Sequence, residues 1–296
     1  MQQRKLIRER LAARRTVWAA GAYDALSAKL IETSGFEAVL TSGFGISASF
    51  LGKPDVELYT MTENLAVVRQ VVSAVEIPVI ADCDTGYGNA VNVMRTVREF
   101  ETAGVAAVIL EDQVVPKRCP AIANRIEVIP VAEGVAKIRA AVEARRDPDL
   151  VIIARTDAGS EAEAIERARA YVAAGADMVQ PISKTMKDAA MLRRFKAAAG
   201  VPLSLQVLGW LEKDLSPDDL REIAGIATFP LVGLMTVASA LQTNLKALME
   251  AKSTHALPLP CMDHKAFAEL LDFSAIADIQ MRLLPEAPAV LERLAS

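Results

Sequence analysis

The amino-acid sequence predicts a (β/α)8 barrel, and three observations lead to this fold class. The chain has 296 residues, close to the usual length of one such barrel. Short segments of continuous apolar residues recur along it, as in parallel strands that are covered on both faces. Amphipathic helical patterns separate these segments with no linker between units, which favours a closed barrel over an open sheet. We therefore expect one domain over residues 1–296.

Each predicted strand is a short apolar run. The runs cover residues 16–23, 37–42, 77–83, 105–111, 150–156, 177–182, 202–207 and 227–232. The helical patterns between them include residues 62–74, 89–102, 131–145, 161–174 and 185–198. Glycines stand just before several of the strands, where they are placed like helix C-caps: Gly35, Gly104, Gly175 and Gly200.

The C-terminal part of the chain departs from this alternation. A helix at 235–251 completes the eighth unit, and further helices are predicted at 265–272, 274–283 and 286–294. The apolar side chains of this helical extension, residues 252–296, need a surface on which they can be buried. That surface is either the chain's own barrel or a second subunit, and the sequence leaves both open.

Composition excludes several classes of protein. The chain is 52% hydrophobic and 24% charged with a net charge of −4, so it lacks the basic excess of a nucleic-acid-binding protein. Its cysteines, Cys83, Cys119 and Cys261, are few, odd in number and widely spaced, which indicates a reducing compartment rather than a disulfide framework. The charged N-terminal segment is unlike a secretory signal, and no apolar run approaches the roughly 20 residues that span a bilayer. We expect a soluble cytoplasmic protein.

Acidic residues stand at the C-terminal ends of two neighbouring predicted strands, where barrel enzymes place their active sites. Asp82 and Asp84 share one face of the third strand, and Glu111 ends the fourth. Carboxylates this close repel one another unless one is protonated or a cation is bound. Oxygen ligands without histidine favour Mg²⁺ or Mn²⁺. Alternatively, the acids cap the following helices or pair with Arg155 and Lys117.

Two further features at strand ends suit the binding and protonation of an anion. Arg155 ends the fifth strand, and its guanidinium suits a substrate carboxylate or phosphonate, the alternative being an ion pair with a nearby acid. Cys119 follows Lys117 and Arg118, and two adjacent cations lower the pKa of a thiol, which suits a proton donor or acceptor. Cys83 has no such neighbours and is expected to be structural.

The segment from Ser42 to Ala48 contains a loose G-x-G-x-x-A pattern after a strand. No ribose-binding acid follows at the distance that a dinucleotide site requires. Gly43 and Gly45 instead favour the close approach of backbone N–H groups to an anionic ligand.

Five sequence blocks occur together: GAYDALSAKL, TSGFGISASFLGKPD, IPVIADCDTGYGN, ILEDQVVPKRC and IIARTDA. In these blocks the chain resembles the isocitrate lyase/phosphoenolpyruvate mutase superfamily over residues 15–250. The resemblance implies a barrel whose eighth helix is exchanged between the subunits of a dimer or tetramer. It also implies Mg²⁺, with Mn²⁺ as a substitute, held directly or through water by Asp55, Asp82, Asp84 and Glu111.

The resemblance further implies roles for residues that face the substrate. Arg155 matches the arginine that clamps the substrate, and Lys117, Arg118 and Cys119 match a mobile gating loop whose cysteine protonates the enolate-like product. The positions that cradle the carboxylate or oxo group are Tyr23, Ser42, Gly43 and Gly45. Asp55 is assigned to the same substrate-facing set.

Three departures from the family pattern lie where lyases grip the distal half of the substrate. Pro120-Ala121 replace the usual Gly-His, Gln180 replaces a glutamate, and Gln206 stands where asparagine is usual. We expect Gln180 and Gln206 to contact the substrate, while ordinary isocitrate or methylisocitrate cleavage loses support.

The leading functional prediction is a Mg²⁺-dependent carbon–carbon lyase that acts through an enolate on a small 2-hydroxy- or 2-oxo-dicarboxylate. The alternatives are phosphorus–carbon chemistry like that of carboxyvinyl-carboxyphosphonate phosphorylmutase, oxaloacetate decarboxylation, and a non-catalytic barrel that binds a dicarboxylate. A small anion and a second copy of the chain are the expected partners, and nucleic acid and membrane are not.

Overall fold

Eight parallel strands form a closed barrel in chain order, with β8 hydrogen-bonded to β1. The computed structural model describes residues 2–118, 126–182 and 184–284. The strands are β1 (Val17–Ala22), β2 (Ala38–Thr41), β3 (Val79–Asp82), β4 (Ala107–Glu111), β5 (Val151–Thr156), β6 (Met178–Pro181), β7 (Leu203–Gln206) and β8 (Ala224–Phe229). The predicted barrel is confirmed, and helices follow its eighth strand as expected.

Helices surround the barrel. Those of the barrel part are α1 (Gln2–Ala12), α2 (Ala25–Thr33), α3 (Gly43–Ile46), α4 (Met61–Ala74), α5 (Ala90–Ala103), α6 (Val131–Ala144), α7 (Glu161–Ala173), α8 (Ala189–Ala199), α9 (Trp210–Asp214) and α10 (Pro217–Ile223). A π-helical turn, Ser47–Leu51, follows α3. The helices that follow β8 are α11 (Val232–Ala251), α12 (His264–Leu270) and α13 (Phe273–Leu283). Among the described residues no helix has the length and apolarity needed to cross a membrane.

Three predicted elements begin three or four residues from their observed start, namely β8, α8 and α11, which starts at Val232 rather than 235. β8 spans 224–229 rather than 227–232, and it ends at Phe229 because Pro230 has no N–H with which to continue the hydrogen-bonded ladder. Helix α8 starts at Ala189 rather than 185, because the Asp188 side chain accepts the Met191 N–H and caps the helix there. The helix predicted at 286–294 lies outside the described residues.

The barrel interior follows from the two-residue period of a strand. Ile80, Ile109, Ile153, Met178 and Ile226 belong to the core inside the barrel, and all are at most 2% exposed. The residue two positions further along each of these strands therefore points inward at the C-terminal mouth. The positions reached in this way are Asp82, Glu111, Arg155, Gln180 and Thr228.

Helix α1 closes the opposite end of the barrel. Ile7 is fully buried in the interior core, and Arg4 donates through Nε to the Val105 carbonyl at 2.8 Å. Arg8 pairs with Asp177 at 2.8 Å and also donates to the Leu150 carbonyl at 3.0 Å. Because α1 joins the bottoms of several strands, the N-terminal face is occupied by structural contacts and the C-terminal mouth remains for a ligand.

By clustering of contacts the chain divides into two compact units, residues 1–236 and 237–296. In the described part of the second unit, α12 and α13 contain no buried residue, and Leu241, Phe273 and Ile276 are more than half exposed. The single domain over 1–296, the extension from 252 and the exchange of the eighth helix between subunits remain predictions.

Candidate active site

The register of the barrel sets polar side chains side by side at its mouth. Glu111 on β4 is paired with Arg155 on β5, which is paired with Gln180 on β6. Each stands above an apolar interior residue, so its polar head reaches the mouth while its backbone belongs to the rigid barrel. Strand alternation thus builds one side of the site.

Asp84 is the centre of the acidic cluster. Its carboxylate is fully buried, and its Oδ2 accepts hydrogen bonds from the Tyr59 hydroxyl at 2.7 Å and the Tyr87 hydroxyl at 2.9 Å. Its Oδ1 accepts from Lys117 Nζ at 2.5 Å. Asp84 and Tyr87 both have positive φ, 49° and 60°, a conformation that costs of order 1–3 kcal/mol and is concentrated at functional sites.

Lys117 joins three carboxylates. Besides Asp84, its ammonium contacts Glu111 Oε1 at 2.9 Å and Asp55 Oδ1 at 3.3 Å, and its side chain is only 5% exposed. The Glu111 oxygens make no aligned hydrogen bond, so the Glu111 contact is an ion pair, whereas Lys117 donates a hydrogen bond to Asp55. The pairing of the acids with Lys117 that the sequence left open is therefore present in the structure.

Arg155 lies beside this cluster, and its side chain is 20% exposed. It contacts Glu111 Oε2 at 2.6 Å through NH1 and donates to Asp157 Oδ1 at 2.8 Å through NH2. The second Asp157 oxygen is buried without a hydrogen-bond partner. The ion pair considered for Arg155 is thus present, and about a fifth of the side chain remains exposed.

The site carries an excess of negative charge. Five carboxylates, Asp55, Asp82, Asp84, Glu111 and Asp157, surround two cations, Lys117 and Arg155. Burial, followed by the charge of Asp84, raises the pKa of Asp82 to about 7. Burial also raises the pKa of Asp157 to about 6, although Arg155 opposes the shift. Protons or a further cation must therefore balance the cluster near neutral pH.

Burial opposes the charge of Lys117, but the carboxylates of Asp84 and Glu111 outweigh it and hold the pKa of Lys117 well above its usual range. The lysine therefore acts as a fixed cation rather than as a base in this arrangement.

The donor set fits a hard divalent cation. All the acids of the cluster offer oxygen, and both Glu111 oxygens are buried without hydrogen bonds. As it stands, no group of three acids in the described ranges is arranged to hold a metal, and the Lys117 ammonium lies between three of them. The chemistry of the donors thus suits Mg²⁺ or Mn²⁺ in exchange for the contacts of Lys117.

The glycine segment after β2 packs against the acids. A Cβ on Gly43 would lie 2.8 Å from the Tyr59 hydroxyl and 3.2 Å from Asp82 Oδ2, so only glycine leaves space there. The Gly45 N–H is already donated to Ser42 Oγ at 3.2 Å, and Gly45 lies against Tyr23. The structure therefore brings all four cradle residues together beside the acid cluster.

The two predicted glutamines also meet. Gln180 Oε1 accepts from Ser204 Oγ at 2.8 Å and from Gln206 Nε2 at 3.4 Å. Gln206 Oε1 is buried without a hydrogen-bond partner. Because Gln180 is in register with Arg155, this neutral pair lies next to the guanidinium.

Part of the predicted loop motif is not in this cluster. Arg118 is 69% exposed and contacts only Glu127, at 3.4 Å, among the described residues. Cys119 and the altered Pro120-Ala121 lie outside the described residues, so the role of the thiol remains a prediction. Cys83 is buried and unpaired, as expected of a structural cysteine.

Tyr59, Tyr87 and Asp157 were missed by the sequence interpretation. Asp157 stands two residues after Arg155, so strand alternation could have indicated that it faces the guanidinium. The tyrosines reach Asp84 from loops, one of them at positive φ, and the sequence carries no periodic signal for them.

A closed barrel whose mouth gathers carboxylates, a buried lysine and a partly exposed arginine has its polar residues where barrel enzymes have their active sites. Residues 7–251 match the family model described as phosphoenolpyruvate phosphomutase. The chain therefore belongs to the PEP mutase/isocitrate lyase superfamily, and the predicted superfamily and enzyme class are confirmed.

Relatives of known activity cover nearly the whole chain. It is 41% identical over 278 residues to 2,3-dimethylmalate lyase of Eubacterium barkeri, covering 93% of this chain and 96% of that protein. The phosphoenolpyruvate phosphomutase structure from Streptomyces platensis superposes with a TM-score of 0.88 at 34% identity, covering 95% and 99% of the two chains. Phosphonopyruvate hydrolase in complex with oxalate and Mg²⁺ gives 0.87 at 31% identity, covering 96% and 100%.

Proposed function

We propose that the chain is a Mg²⁺-dependent carbon–carbon lyase that cleaves a small 2-hydroxy- or 2-oxo-dicarboxylate through an enolate. The observation that carries the proposal is the partly exposed Arg155 beside a buried carboxylate cluster that has more negative charge than its own cations balance. The 41% identity to a 2,3-dimethylmalate lyase supports the reaction type.

Each residue of the site has its own role in the proposed cleavage. Arg155 binds the carboxylate of the 2-oxo-acid half, because a planar guanidinium pairs with a carboxylate through parallel hydrogen bonds. Glu111 and Asp157 hold that guanidinium from two sides and set its plane. Gln180 and Gln206 offer amide groups to the distal half of the substrate. A carboxylate of the cluster accepts the hydroxyl proton of a 2-hydroxy substrate as the carbon–carbon bond breaks, and Cys119 donates a proton to the carbon that leaves.

A divalent ion fits the oxygen donors of Asp55, Asp82, Asp84 and Glu111, held directly or through water. When bound, it supplies Lewis-acid stabilisation of the negative charge that develops on the substrate oxygen. Tyr59 and Tyr87 donate to Asp84 Oδ2, so they fix the orientation of its carboxylate whichever cation lies beside it.

Phosphorus–carbon chemistry is the second candidate. The neutral Gln180 next to Arg155 is the observation that favours it, since a glutamate at this position would repel a phosphonate dianion. The structural likeness to a phosphomutase and to a phosphonopyruvate hydrolase is in line with this candidate.

A substrate panel separates these reactions. The protein is assayed with Mg²⁺ on 2,3-dimethylmalate, methylisocitrate, isocitrate, oxaloacetate and phosphonopyruvate, with chelator added in a parallel series. We expect a 2-oxo acid from one of the hydroxydiacids and no turnover with chelator. Turnover of phosphonopyruvate alone, followed by phosphorus NMR, would replace the lyase proposal with the second candidate, and turnover of oxaloacetate alone would indicate a decarboxylase.

The role of the Cys119 thiol as proton donor is tested separately. Cys119→Ser should lower turnover of the cleaved substrate by about 100-fold, the scale on which a positioned proton donor contributes. Cys261→Ser is the matched control, since Cys261 is exposed and in the second unit. Equal turnover of Cys119→Ser and the control would remove the thiol from the mechanism.

We also propose that the chain is a cytoplasmic homo-oligomer, a dimer or tetramer. Exposed apolar side chains in the second unit, including Leu241, Leu245 and Ile276, exceed what an isolated surface usually carries and support this proposal. Sedimentation analysis should give a mass that is a multiple of 31.8 kDa, and a monomer at micromolar concentration would contradict it.

A further inference from the structure

A second buried polar cluster lies between the ends of β4 and β5 and helix α7. Asp112, the residue after β4, accepts from the Tyr171 hydroxyl at 2.8 Å and from Arg167 NH1 at 3.2 Å, both on Oδ2. Its other oxygen, Oδ1, accepts the backbone N–H of Asp157 at 2.9 Å. One carboxylate therefore connects helix α7 to the residue that holds Arg155.

Arg167 makes a second connection, to the chain that returns to the barrel before α6. Its NH1 donates to the Ile129 carbonyl at 2.9 Å, and the Ile129 N–H donates to the Asp112 carbonyl at 2.9 Å. Both backbone groups of Ile129 are thus fixed by the cluster. The Arg167 side chain is only 5% exposed, which is rare for a cation and requires full pairing.

The absence of a side chain at Gly134 leaves the space that the Tyr171 hydroxyl occupies. A Cβ on Gly134 of α6 would lie 2.4 Å from the Tyr171 hydroxyl, so glycine is required for Tyr171 to reach Asp112. Burial, followed by the charge of Asp112, raises the pKa of Tyr171 above its usual range, so its hydroxyl remains a donor.

The contacts continue into the active site. Asp157, whose N–H is held by Asp112, accepts from Arg155 NH2 at 2.8 Å. A cavity of about 660 Å³ is lined by both Asp157 and Arg167, together with Ile129. Asp112 is therefore linked to the Arg155 guanidinium by two successive hydrogen bonds through Asp157. A single hydrogen bond links Asp112 to Ile129 at the edge of the cavity.

We propose that Arg167 and Tyr171 are positioning residues, which act through Asp112 and Asp157 to fix the guanidinium of Arg155 and the backbone at Ile129. The inference rests on the proposed role of Arg155 as the carboxylate clamp. A buried ion pair adds little net stability to a fold, whereas it fixes geometry because its partners accept only one arrangement. The two oxygens of Asp112 are divided between the helix and the site, as a positioning role requires.

The test uses two variants. Tyr171→Phe removes one hydrogen-bond donor to Asp112, and Arg167→Lys keeps the positive charge but loses the planar guanidinium that donates to Asp112 and Ile129. Oxalate affinity is measured by calorimetry at saturating Mg²⁺, together with kcat, KM and Tm. Loss of such a supporting contact costs roughly 10- to 100-fold in affinity or activity. We expect oxalate affinity and kcat/KM to fall by about 10-fold for Tyr171→Phe and further for Arg167→Lys.

Glu166→Gln is the matched control, because Glu166 is an exposed acid on the same helix and takes no part in the contacts of Arg167 and Tyr171 described above. It should stay within about twofold of wild type, since substitutions on an exposed helix face have small effects. If Arg167→Lys fails to fold, Tyr171→Phe alone still tests the positioning role, since phenylalanine keeps nearly the volume of the tyrosine side chain.

A double mutant separates positioning from simple structural support. In an Arg155→Lys background, Tyr171→Phe should cost less than about twofold, because residues that act through one another are non-additive. Equal loss in both backgrounds, or a lower Tm with unchanged oxalate affinity, would overturn the inference. Wild type that binds no oxalate and turns over no substrate would instead contradict the proposed function, and the inference would fall with it.

Discussion

The two halves of the barrel mouth differ in charge although their backbones follow the same plan. On β3, β4 and β5 the inward positions carry Asp82, Glu111 and Arg155. On β6 and β8 the equivalent positions carry Gln180 and Thr228. Strand alternation presents both halves to the same space, so the difference comes from the side chains alone.

Under the proposed function, the charged half serves bond cleavage and the neutral half serves substrate choice. The charged half concentrates carboxylates and cations, which suit the balancing of developing negative charge. The neutral half offers amides and hydroxyls, which suit the selection of a ligand through hydrogen bonds rather than through charge. Changes in the charged half should therefore abolish turnover, and changes in the neutral half should redirect it.

The largest effect is expected at Asp84. Asp84→Asn keeps the shape but removes the charge that holds Lys117 and orients both tyrosine hydroxyls. We expect kcat/KM to fall by at least about 1000-fold, since preorganised charge at such a site commonly supplies this much. Asp218→Asn is the matched control, because its side chain is 90% exposed. Steady-state kinetics on the cleaved substrate measure both, and a loss under tenfold would show that Asp84 is structural.

A smaller loss is expected at Arg155. Arg155→Lys retains the charge but cannot contact Glu111, Asp157 and a substrate carboxylate in one plane. We expect kcat/KM to fall by about 100-fold, while Arg194→Lys, on a 56% exposed side chain of α8, stays near wild type. Equal kinetics of the two variants would show that the arginine serves only the fold.

The variant Gln180→Glu tests whether the neutral half of the barrel mouth selects the substrate. The new carboxylate would stand in register with Arg155 and add charge beside a cluster that is already acidic. We expect the ratio of kcat/KM between a hydroxydiacid and phosphonopyruvate to change by about tenfold, because a dianionic phosphonate is repelled more strongly. Gln206→Glu serves for comparison, since Gln206 is one strand further from Arg155. An unchanged ratio would remove Gln180 from substrate selection.

The smallest effect concerns stability and pH. In the metal-free protein the pKa of Asp82 is raised to about 7 from an ordinary value of 3.8, so between these values the folded state binds more protons than the unfolded state. The contribution of Asp82 to the free energy of unfolding therefore falls as pH rises through this window.

Asp82→Asn removes that dependence and still accepts the Asp84 N–H. We expect its Tm, relative to wild type, to rise by several degrees between pH 5 and pH 8 in chelator, and Mg²⁺ to reduce the difference. Thermal unfolding monitored by circular dichroism measures this. A Tm difference that is independent of pH would contradict the raised pKa.

The sequence alone was sufficient to predict the site residues whose position follows from the two-residue period of a strand. Glu111, Arg155 and Gln180 end predicted strands, and the barrel register sets them side by side. It was insufficient where loops fold back on the strands. Tyr59 and Tyr87 reach Asp84 from loops, and no pattern in the sequence places them there. The pairing of the acids with Lys117 was one of the alternatives that the sequence left open. The boundary of β8 was missed because the apolar run continues past Pro230.

The most direct test of a cation-dependent site is a calorimetric titration of the metal-free protein with Mg²⁺, followed by oxalate as a mimic of the enolate. We expect one ion per chain, and oxalate binding that requires the ion and weakens in Arg155→Lys. Absence of Mg²⁺ binding at millimolar concentration, or oxalate binding that is indifferent to both the ion and Arg155, would contradict this expectation.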